Sequence, residues 1–476
     1  MDQFQSTLLP IVQTINGYLA DYMLIILLAG VGLFYTIRTR FVQVRCFGEG
    51  MKRVFGGFSL KGGKQRSGIS SFQALATAIA AQVGTGNIVG ASGAILVGGP
   101  GAIFWMWIIA FLGMATIYAE AVLAQKTKVI EADGTVLGGP VYYIRHAFKG
   151  KFGKFLAVFF AIAATLALGF MGAMVQSNSI AQTTNTAFHI PVWVVGILLA
   201  ALCAVIYLGG IQRIASVAEK IVPFMAFLYI ILGLTILGIN VTKLPETFGM
   251  IFKYAFTPQA IIGGGLGAAL KAAISQGAKR GLFSNEAGMG STPHAHAQAN
   301  VKDPHEQGVS AMIGVFIDTF VVLTMTALVV ISTLYAGNGP LSSPELLAAN
   351  NLAGILTKAN MMQTAVGNVF GNATVGNILV AICLMFFAFT TIIGWYFFGK
   401  QNVQYLFGKK AVVVYSIISV GFVFLGTVLS NDLVWELTDM FNYLMVLPNV
   451  IALFALSGVV VSVVHFKKKK DQNELK

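Results

Sequence analysis

The chain has 476 residues, of which 56% are hydrophobic and 10% are charged, with a formal net charge of +13 at pH 7. Soluble domains carry about 25% charged residues, so this composition excludes a soluble globular protein and indicates an integral membrane protein. The basic residues lie between apolar runs and at the C-terminus, as in cytoplasmic loops of membrane proteins, which argues against nucleic acid as a partner.

Apolar runs of roughly 20 residues recur along the chain, which is the length that an α-helix needs to cross a bilayer. Transmembrane β-strands would instead give alternating segments of about 10 residues. The predicted fold class is therefore an all-α integral membrane protein with eleven transmembrane helices. They are predicted at Tyr18–Ile37, Ser70–Val97, Ala102–Gln125, Phe155–Gln176, Val192–Leu208, Val217–Ile239, Ala260–Leu282, Gly308–Tyr335, Val375–Gly399, Ala411–Leu429 and Leu437–Val464.

The loops predict the orientation of the chain. The loop after the first span carries eight basic residues from Arg38 to Arg66, against a single acidic residue, Glu49. Short loops rich in lysine and arginine stay in the cytoplasm, which places this loop inside and the N-terminus outside. An odd number of spans then places the C-terminus, with Lys467–Lys470, in the cytoplasm. We expect a multi-pass protein of a prokaryotic plasma membrane, in contact with membrane lipid.

Three shorter segments have the composition of interfacial helices. Gly139–Phe148 is predicted to form a short amphipathic helix on the inner face. Pro245–Tyr254 and Pro344–Asn360 are predicted to form outer lids. The alternative for each segment is an ordinary loop.

The second predicted span is interrupted by the stretch QVGTGNIVG at Gln82–Gly90. Its half-helices are predicted at Ser70–Ala81 and Ile88–Val97, with irregular backbone over Gln82–Asn87. Irregular backbone at membrane depth persists only inside protein or around a wet cavity. The exposed helix ends would offer carbonyl oxygens to a cation and N–H groups to a carboxylate. The alternative is a close helix-packing surface made of small residues.

The seventh predicted span has a second interruption, within SQGAKRGLFSNEAGMGS at Ser275–Ser291. The second and seventh spans lie five apart, so they cross the membrane in opposite directions. Interrupted helices at matching positions of two inverted halves point to the binding site of a secondary transporter. The predicted domains are a first span with its basic loop, two five-helix repeats and a basic tail. Their bounds are 1–68, 69–240, 241–466 and 467–476.

The motifs GTGNIVG at Gly84–Gly90 and GLFSNEAGMGSTPHAHA at Gly281–Ala297 resemble those of the alanine/glycine:cation symporters, also called sodium:alanine symporters. The resemblance covers essentially the whole chain, and the second motif is the more specific. It implies a LeuT-type fold, with a 5+5 inverted repeat preceded by one extra N-terminal helix. It also implies sodium-coupled uptake of small neutral amino acids by alternating access.

The resemblance further implies where the substrate and sodium ions bind. The amides of Thr85 and Gly86 would receive the substrate carboxylate, and Asn87 with the Gln82 carbonyl would face one sodium ion. A second sodium ion would bind two backbone carbonyls near the first break and two adjacent hydroxyls. These groups belong to Ala80, Val83, Thr390 and Thr391. Oxygen ligands suit a hard cation, but each threonine could instead bond to its own helix.

Four further side chains are candidate substrate contacts: Gln176, Phe283, Asn285 and Trp395. Phe283 and Asn285 belong to the second break. Gln176 lies near the outer end of the fourth span and could equally bond to a neighbouring helix. Trp395 lies one helical turn beyond Thr391, where it would cap the substrate; its alternative place is the inner interface belt.

Charged side chains inside predicted spans are functional candidates by default. Asp318 lies about three turns into the eighth span, and Lys271, Lys279 and Arg280 lie along the seventh. The expected role of Asp318 is a structural ion pair with one of these bases, and the alternative is a proton-coupling carboxylate. Glu286, which follows the second break, is a candidate gate on the cytoplasmic side.

Two transport mechanisms therefore stay open, a sodium symporter and a proton-coupled porter that uses Asp318. A membrane-embedded enzyme is disfavoured because the dense polar cluster Ser284–His296 shows no convincing nucleophile–base or metal arrangement. We expect His294, His296 and His305 to be solvated at a cytoplasmic end. Sodium is the coupling ion expected, without an organic cofactor. The sequence does not determine which neutral amino acid is the substrate: alanine, glycine, serine and glutamine all stay possible.

Overall fold

The computed structural model describes residues 2–56, 68–257, 266–342 and 356–464. Most of the predicted lid Pro344–Asn360 lies outside the described residues, as does the basic run Lys467–Lys470. Within the described residues the chain is mostly helical, with one two-stranded antiparallel ribbon.

The first part of the chain forms helices up to residue 239. They are α1 (Asp2–Tyr18), α2 (Ile25–Arg38), α3 (Val42–Arg45), α4 (Phe47–Gly56), α5 (Ser71–Gln82), α6 (Ala91–Gly98), α7 (Ala102–Thr127), α8 (Pro140–Ala147), α9 (Gly150–Ala164), α10 (Ala173–Phe188), α11 (Val192–Tyr207) and α12 (Gly210–Ile239). Between α7 and α8 lie the paired strands β1 (Val129–Ile130) and β2 (Val136–Leu137).

The second part of the chain is also helical. Its helices are α13 (Leu244–Phe256), α14 (Leu266–Asn285), α15 (Pro293–Gln298), α16 (Pro304–Val315), α17 (Thr324–Val330), α18 (Met361–Phe370), α19 (Ala373–Phe407), α20 (Ala411–Val428) and α21 (Asn431–Ala455). A 3₁₀ turn at Val241–Lys243 precedes α13, and a further helical segment covers 457–464. π-helical turns adjoin several helices, at Leu19–Leu24, Gly86–Gly90, Thr165–Gly172, Phe316–Leu323 and Ile331–Tyr335.

Seven helical segments of the described residues are long and apolar enough to cross a membrane. They are Ala102–Thr127, Gly150–Phe188, Gly210–Ile239, Pro304–Tyr335, Ala373–Phe407, Ala411–Val428 and Asn431–Ala455. The pair Ser71–Gln82 and Gly86–Gly98, bent by 46° at its break, forms an eighth candidate. The shorter helices α2 and α11 are also apolar. The chain is therefore a multi-pass membrane protein, whereas the count of eleven spans stays a prediction.

The outer faces of the bundle expose large apolar side chains. Leu198, Phe227 and Ile417 are 64%, 65% and 69% exposed. Soluble proteins rarely display extended apolar patches, so these faces suit the lipid core of a bilayer. Inside the bundle, α7 and α16 bury most of their side chains, and both pack beside the interrupted helices.

The fourth predicted span is longer than expected. Its helix runs continuously over Gly150–Phe188, so the polar residues after Gln176 are helical rather than part of a loop. Neighbouring backbone satisfies one of them: Asn178 Nδ2 donates to the carbonyls of Gly426 and Leu429 at 2.8 and 2.9 Å. The helix therefore continues well beyond Gln176, and the place of Gln176 near the outer end of the membrane span stays a prediction.

Two of the predicted interfacial helices lie among the described residues. The helix predicted at Gly139–Phe148 is confirmed as α8, which buries Tyr143 and Ile144, and its place on the inner face stays a prediction. Pro245–Tyr254 is confirmed as the helix α13, and its role as a lid stays a prediction. The structure also contains α1, a helix that the hydropathy pattern did not predict, packed against α21.

A left-handed turn directs the chain from α2 into α3 and α4. Arg40 and Phe41 have φ of 54° and 56°, and the Phe41 N–H donates to Thr36 O at 2.7 Å. This conformation is uncommon for residues with side chains. It lays α4 against α16, where Gly50 allows close packing: a Cβ atom there would lie 2.8 Å from Val309 O.

The segments just before α5 and just after α15 form a parallel β-bridge. The Ile69 N–H donates to Gln298 O, and the Asn300 N–H donates to Ile69 O, both at 3.0 Å. The end of α7 supports the bridge, because Lys128 Nζ donates to Ala299 O at 2.7 Å. Partial burial lowers the pKa of Lys128 to about 8. The two interrupted helices are thus joined at one end of the bundle.

Candidate binding site at the two helix breaks

The first break is shorter than predicted. A capping box between Ser70 and Gln73 starts α5, which ends at Gln82. Val83 leaves the helix with φ −79° and ψ 88°, and helical structure resumes at Thr85, directly before the π-helical turn Gly86–Gly90. The predicted interruption is thus confirmed, and it is centred on Val83 and Gly84.

Side chains from distant parts of the chain satisfy the backbone at this break. The Gly84 N–H donates to Asn87 Oδ1 at 3.0 Å, and the Thr85 N–H donates to Gln176 Oε1 at 3.1 Å. Asn87 Nδ2 donates in turn to Asp318, at 2.7 Å to Oδ1 and 3.1 Å to the backbone O. The structure therefore brings both Gln176 and Asp318 to the break.

Three buried polar atoms around the break lack a hydrogen-bond partner among the described residues. They are Gln82 Oε1, Thr85 Oγ1 and Gln176 Nε2. All three side chains are at most 2% exposed. Buried polar atoms without partners are costly, so such a cluster indicates a place where a polar ligand binds.

The second break follows α14. The helix ends at Asn285, and Glu286 has a φ of 58°, while Gly288 and Gly290 have φ of 87° and 82°. Glycine tolerates these positive values, whereas glutamate is strained there. The predicted interruption within Ser275–Ser291 is confirmed, whereas the identity of this helix as the seventh span stays a prediction.

A buried glutamate that was not among the predicted site residues stabilises the second break. Glu120 on α7 accepts hydrogen bonds from the N–H groups of Gly288 and Gly290, each at 3.0 Å. It also accepts from Asn449 Nδ2 at 2.7 Å, and Asn449 in turn accepts from Tyr143. Since this segment lacks helical hydrogen bonding, the carboxylate replaces the missing acceptors.

The two breaks touch each other. A Cβ atom on Gly86 would lie 3.1 Å from both Phe283 Cδ1 and Ser284 Cα, so glycine permits this approach. Gln82 Nε2 donates to Asn285 O at 2.7 Å. Four of the predicted site residues therefore lie together where the two breaks meet: Gln82, Gly86, Phe283 and Asn285.

Asp318 is a buried acidic residue where the two breaks meet. Its Oδ2 accepts from Ser284 Oγ at 2.8 Å and from Thr319 Oγ1 at 2.9 Å, while Asn87 donates to Oδ1. The carboxylate is completely buried, and these three donors are all neutral. A buried carboxylate with neutral donors has a net charge that a bound cation would balance.

The expected ion pair between Asp318 and Lys271, Lys279 or Arg280 is wrong. Asp318 is hydrogen-bonded to neutral side chains, and Arg280 instead forms a bidentate pair with Asp439, at 2.8 and 3.2 Å. The sequence could not show this, because Asp439 lies on α21, far along the chain.

Aromatic side chains line one side of the breaks. Phe283 packs against Trp395 with ring centroids 5.7 Å apart, and against Trp435 at 4.7 Å. Trp395 is 1% exposed and its indole N–H donates to Glu286 Oε1 at 2.5 Å, which excludes a place in the interface belt. Gly172 makes room for the indole, since a Cβ atom there would overlap the ring.

The two threonines of the predicted second sodium site differ in orientation. Thr391 Oγ1 donates to Ala80 O at 3.0 Å and also contacts its own helix at Phe387 O, 3.1 Å away. Thr390 Oγ1 bonds to Phe387 O at 2.9 Å and lies beside Met225 Sδ. Thr391 therefore faces the end of α5, whereas Thr390 does not contact it through its hydroxyl.

The expectation of solvated histidines is wrong. His294, His296 and His305 are at most 2% exposed. His294 contacts Asn402 at 2.9 Å, and His296 contacts Gln307 at 2.8 Å. The histidines are buried because α16 and α19 cover the segment that follows the second break, which a polar sequence alone could not reveal.

The whole chain matches one protein family. The sequence model of the sodium:alanine symporter family matches residues 5–476. The chain belongs to this family. The chain is therefore a membrane transporter.

Several members of the sodium:alanine symporter family are similar to this chain along nearly their full length. The sodium/alanine symporter AgcS of Methanococcus maripaludis is 40% identical over 98% of each chain. The putative sodium/proton-dependent alanine carrier protein YrbD of Bacillus subtilis is 42% identical over 94% of this chain and 90% of its own. The probable sodium/glutamine symporter GlnT of Bacillus subtilis is 39% identical, over 96% and 90%.

Solved structures identify the fold of this family member as LeuT-like. MhsT in complex with L-phenylalanine superposes with a TM-score of 0.57 at 12% identity, over 85% of this chain and 99% of that one. A mutant of the Eremococcus coleocola manganese transporter gives a TM-score of 0.51 at 15% identity, over 82% and 78%. At such low identities the likeness concerns the fold alone.

Proposed function

We propose that this protein is a sodium-coupled symporter that takes up small neutral amino acids, of the alanine or glycine type, by alternating access. The family supports sodium-coupled amino-acid transport in general. The observation that carries the proposal is the group of unpartnered polar atoms on Gln82, Thr85 and Gln176, buried where two helix ends meet. Such ends carry partial charges that suit a zwitterion and a cation side by side.

The substrate carboxylate binds at the start of the second half-helix, at the amides of Thr85 and Gly86. Gln176 occupies the Thr85 amide in this structure, so it turns when the substrate arrives, and its side chain then bonds to the substrate. Phe283 and Trp395 bound a small apolar space for the side chain, and Asn285 closes it beside the second break. These side chains are all uncharged, which favours a neutral amino acid.

Sodium binds beside the substrate to hard oxygen ligands. The Asn87 side chain, the Gln82 carbonyl and the Asp318 carboxylate supply the first group of oxygens, with the hydroxyls of Ser284 and Thr319 next to them. A second ion binds near Thr391, with further oxygens that would come from Ala80, Val83 and Thr390. Of this second group, Thr391 and the Ala80 carbonyl already face each other at 3.0 Å.

The proposed architecture is eleven spans, arranged as a 5+5 inverted repeat after one extra helix, with the N-terminus outside. The bent pair α5–α6 and the interrupted pair α14–α15 support it, since each would be the first helix of one repeat. The alternative function is a proton-coupled porter, which the complete burial of the Asp318 carboxylate favours.

Reconstitution tests the proposed function directly. Purified protein in proteoliposomes is expected to accumulate labelled alanine under an inward sodium gradient, and Asn87→Ala is expected to reduce this uptake roughly 10-fold or more, because a hydrogen bond to a charged group contributes about 1.5–3 kcal/mol. Asn368→Ala changes an exposed asparagine of α18 and should behave as wild type. Uptake that ignores sodium, together with full activity in Asn87→Ala, would contradict the proposal.

Gly84→Ala tests the geometry of the break. An added Cβ atom would overlap Thr391 Oγ1 and lie 3.0 Å from Gln176 Oε1, so both side chains must move. We expect sodium-dependent alanine uptake to fall roughly 10-fold or more, since a misplaced ligand loses at least one hydrogen bond to a charged group. Gly238→Ala in α12 has open space around it and is the matched control. Equal uptake by the two variants would show that this contact is unimportant.

A further inference from the structure

A cysteine, a glutamate and a histidine come together where α4 packs on the start of α16. One ligating atom from each of Cys46, Glu49 and His305 lies within 4.8 Å of the other two. We propose that these side chains form a site for a divalent transition-metal ion of the Zn²⁺ type. The site is separate from the helix breaks and does not depend on the proposed transport function.

Local structure explains how the three ligands converge. Cys46 lies in the turn between α3 and α4, and Glu49 lies in the first turn of α4, so the two ligands are three residues apart in the chain. His305 lies at the start of α16, where the Asp303 side chain caps its N–H at 2.9 Å. Gly50 lets the two helices approach closely enough to bring these side chains together.

A neighbouring tyrosine orients the imidazole. His305 Nδ1 lies 2.7 Å from Tyr118 Oη, and Nε2 lies 3.4 Å from Glu49 Oε2. If Nδ1 carries the proton and donates to the tyrosine oxygen, the lone pair of Nε2 points toward Glu49. Histidine ligands of metals commonly have such a partner on the other ring nitrogen, which fixes the tautomer.

The charges of the cluster match a divalent ion. A thiolate and a carboxylate together carry two negative charges, and the imidazole binds in its neutral form. Arg53 contacts Glu49 Oε1 at 3.1 Å, which leaves Oε2 toward His305. Arg53 also pairs with Glu306 at 3.2 Å, so its own charge is already balanced by a second carboxylate.

The distances are close to those of a tetrahedral site. Zn–N, Zn–O and Zn–S bonds of about 2.0–2.3 Å place ligand atoms roughly 3.4–3.6 Å apart. His305 Nε2 and Glu49 Oε2 already have this separation. The Cys46 sulfur lies within 4.8 Å of a ligand atom of each of the other two residues, which exceeds the tetrahedral separation by roughly 1.4 Å at most. Cys46 and His305 are buried, whereas Glu49 is one-third exposed, which leaves a side for a fourth ligand such as water.

The types of ligand determine which metal ion is preferred. Thiolate and imidazole favour zinc and its neighbours, whereas alkali ions prefer oxygen ligands alone. A bound ion would therefore not compete with sodium at the helix breaks. It would add a further link between the segment after α2 and α16, beside the ion pair of Arg53 with Glu306 and the contact of His305 with Tyr118 on α7.

Cobalt titration of the purified full-length protein tests the site. Co²⁺ is expected to bind with one ion per chain and to give a thiolate-to-cobalt charge-transfer absorption that Zn²⁺ abolishes. Cys46→Ser and His305→Gln are expected to lose this band. Cys203→Ser, which changes another buried free cysteine, and His189→Gln, which changes an exposed histidine, should keep it. Tyr118→Phe should retain the band but bind about 10-fold more weakly.

Wild-type protein alone can also decide the matter if the variants fail to fold. X-ray absorption of the zinc-loaded protein is expected to show one sulfur neighbour at about 2.3 Å with nitrogen or oxygen neighbours at about 2.0 Å. A first shell without sulfur would overturn the proposal. So would a cobalt spectrum without a thiolate band, or an unchanged band in folded Cys46→Ser.

Discussion

Replacing Asp318 with asparagine is expected to abolish sodium-driven uptake while the protein still folds. The substitution keeps the shape of the side chain and removes the negative charge that faces Asn87, Ser284 and Thr319. The affinity for sodium should fall roughly 10- to 100-fold, because an interaction with a charged group contributes about 1.5–3 kcal/mol and about 1.4 kcal/mol is a factor of ten. The unfolding temperature should stay the same or rise, since an uncompensated buried charge is costly.

The measurement is the sodium dependence of alanine binding to purified protein, without any gradient across a membrane. Asp133→Asn, which changes an exposed aspartate of the ribbon, is the matched control and should bind like wild type. The proton-coupled alternative predicts a different result. In that case a pH gradient alone drives uptake by wild type, Asp318→Asn loses this uptake, and sodium has no effect on alanine binding in either protein.

Glu120→Ala is expected to destabilise the protein more than the substitutions at Gly84, Asn87 or Asp318. It removes the acceptor of two backbone N–H groups and of the Asn449 amide, all of them buried. Each unsatisfied buried donor costs about 1–3 kcal/mol, so the free energy of unfolding should fall by at least about 3 kcal/mol. Because this segment is part of the second break, uptake should be lost as well.

Thermal unfolding in detergent measures this effect, and Glu246→Ala supplies a matched control. Glu246 also accepts a hydrogen bond from a backbone N–H, that of Gly337 at 2.9 Å, but in an exposed position. Its replacement should change stability by about 0.5 kcal/mol or less. Glu120→Gln keeps one acceptor oxygen and should be intermediate. If Glu120→Ala proves as stable as Glu246→Ala, the carboxylate does not hold the second break.

The interruptions of two helices were predictable because their cause is local. Glycine and asparagine within an apolar span, at Gly84 and Asn87, are unfavourable in a helix, and Asn285–Gly290 repeats the pattern. The LeuT-like fold followed from those two breaks together with the motifs. The contacts that complete the site depend on packing instead: Asn87 and Asp318 are 231 residues apart in the chain.

The errors share a physical origin. Polar residues after Gln176 indicated a loop because their partners on α20 and beyond cannot be seen in the sequence. His294 and His296 were predicted to be solvent-exposed because the residues next to them in the sequence are polar. Their partners Asn402 and Gln307 lie on other helices. Glu120 could have been found, since a lone carboxylate in an apolar span is expensive unless it has partners. Its partners, two backbone N–H groups, would still have been unknown.

The parallel bridge at Ile69 limits how the two interrupted helices can move relative to each other. Its two hydrogen bonds join the chain just before one interrupted helix to the chain just after the other. Separation of these helices at that end must break both hydrogen bonds. Packed interfaces between helices have two discrete arrangements and do not deform continuously. On the proposed alternating-access mechanism, the opening of that end of the bundle would therefore require these two hydrogen bonds to break, although neither belongs to the proposed substrate or sodium sites.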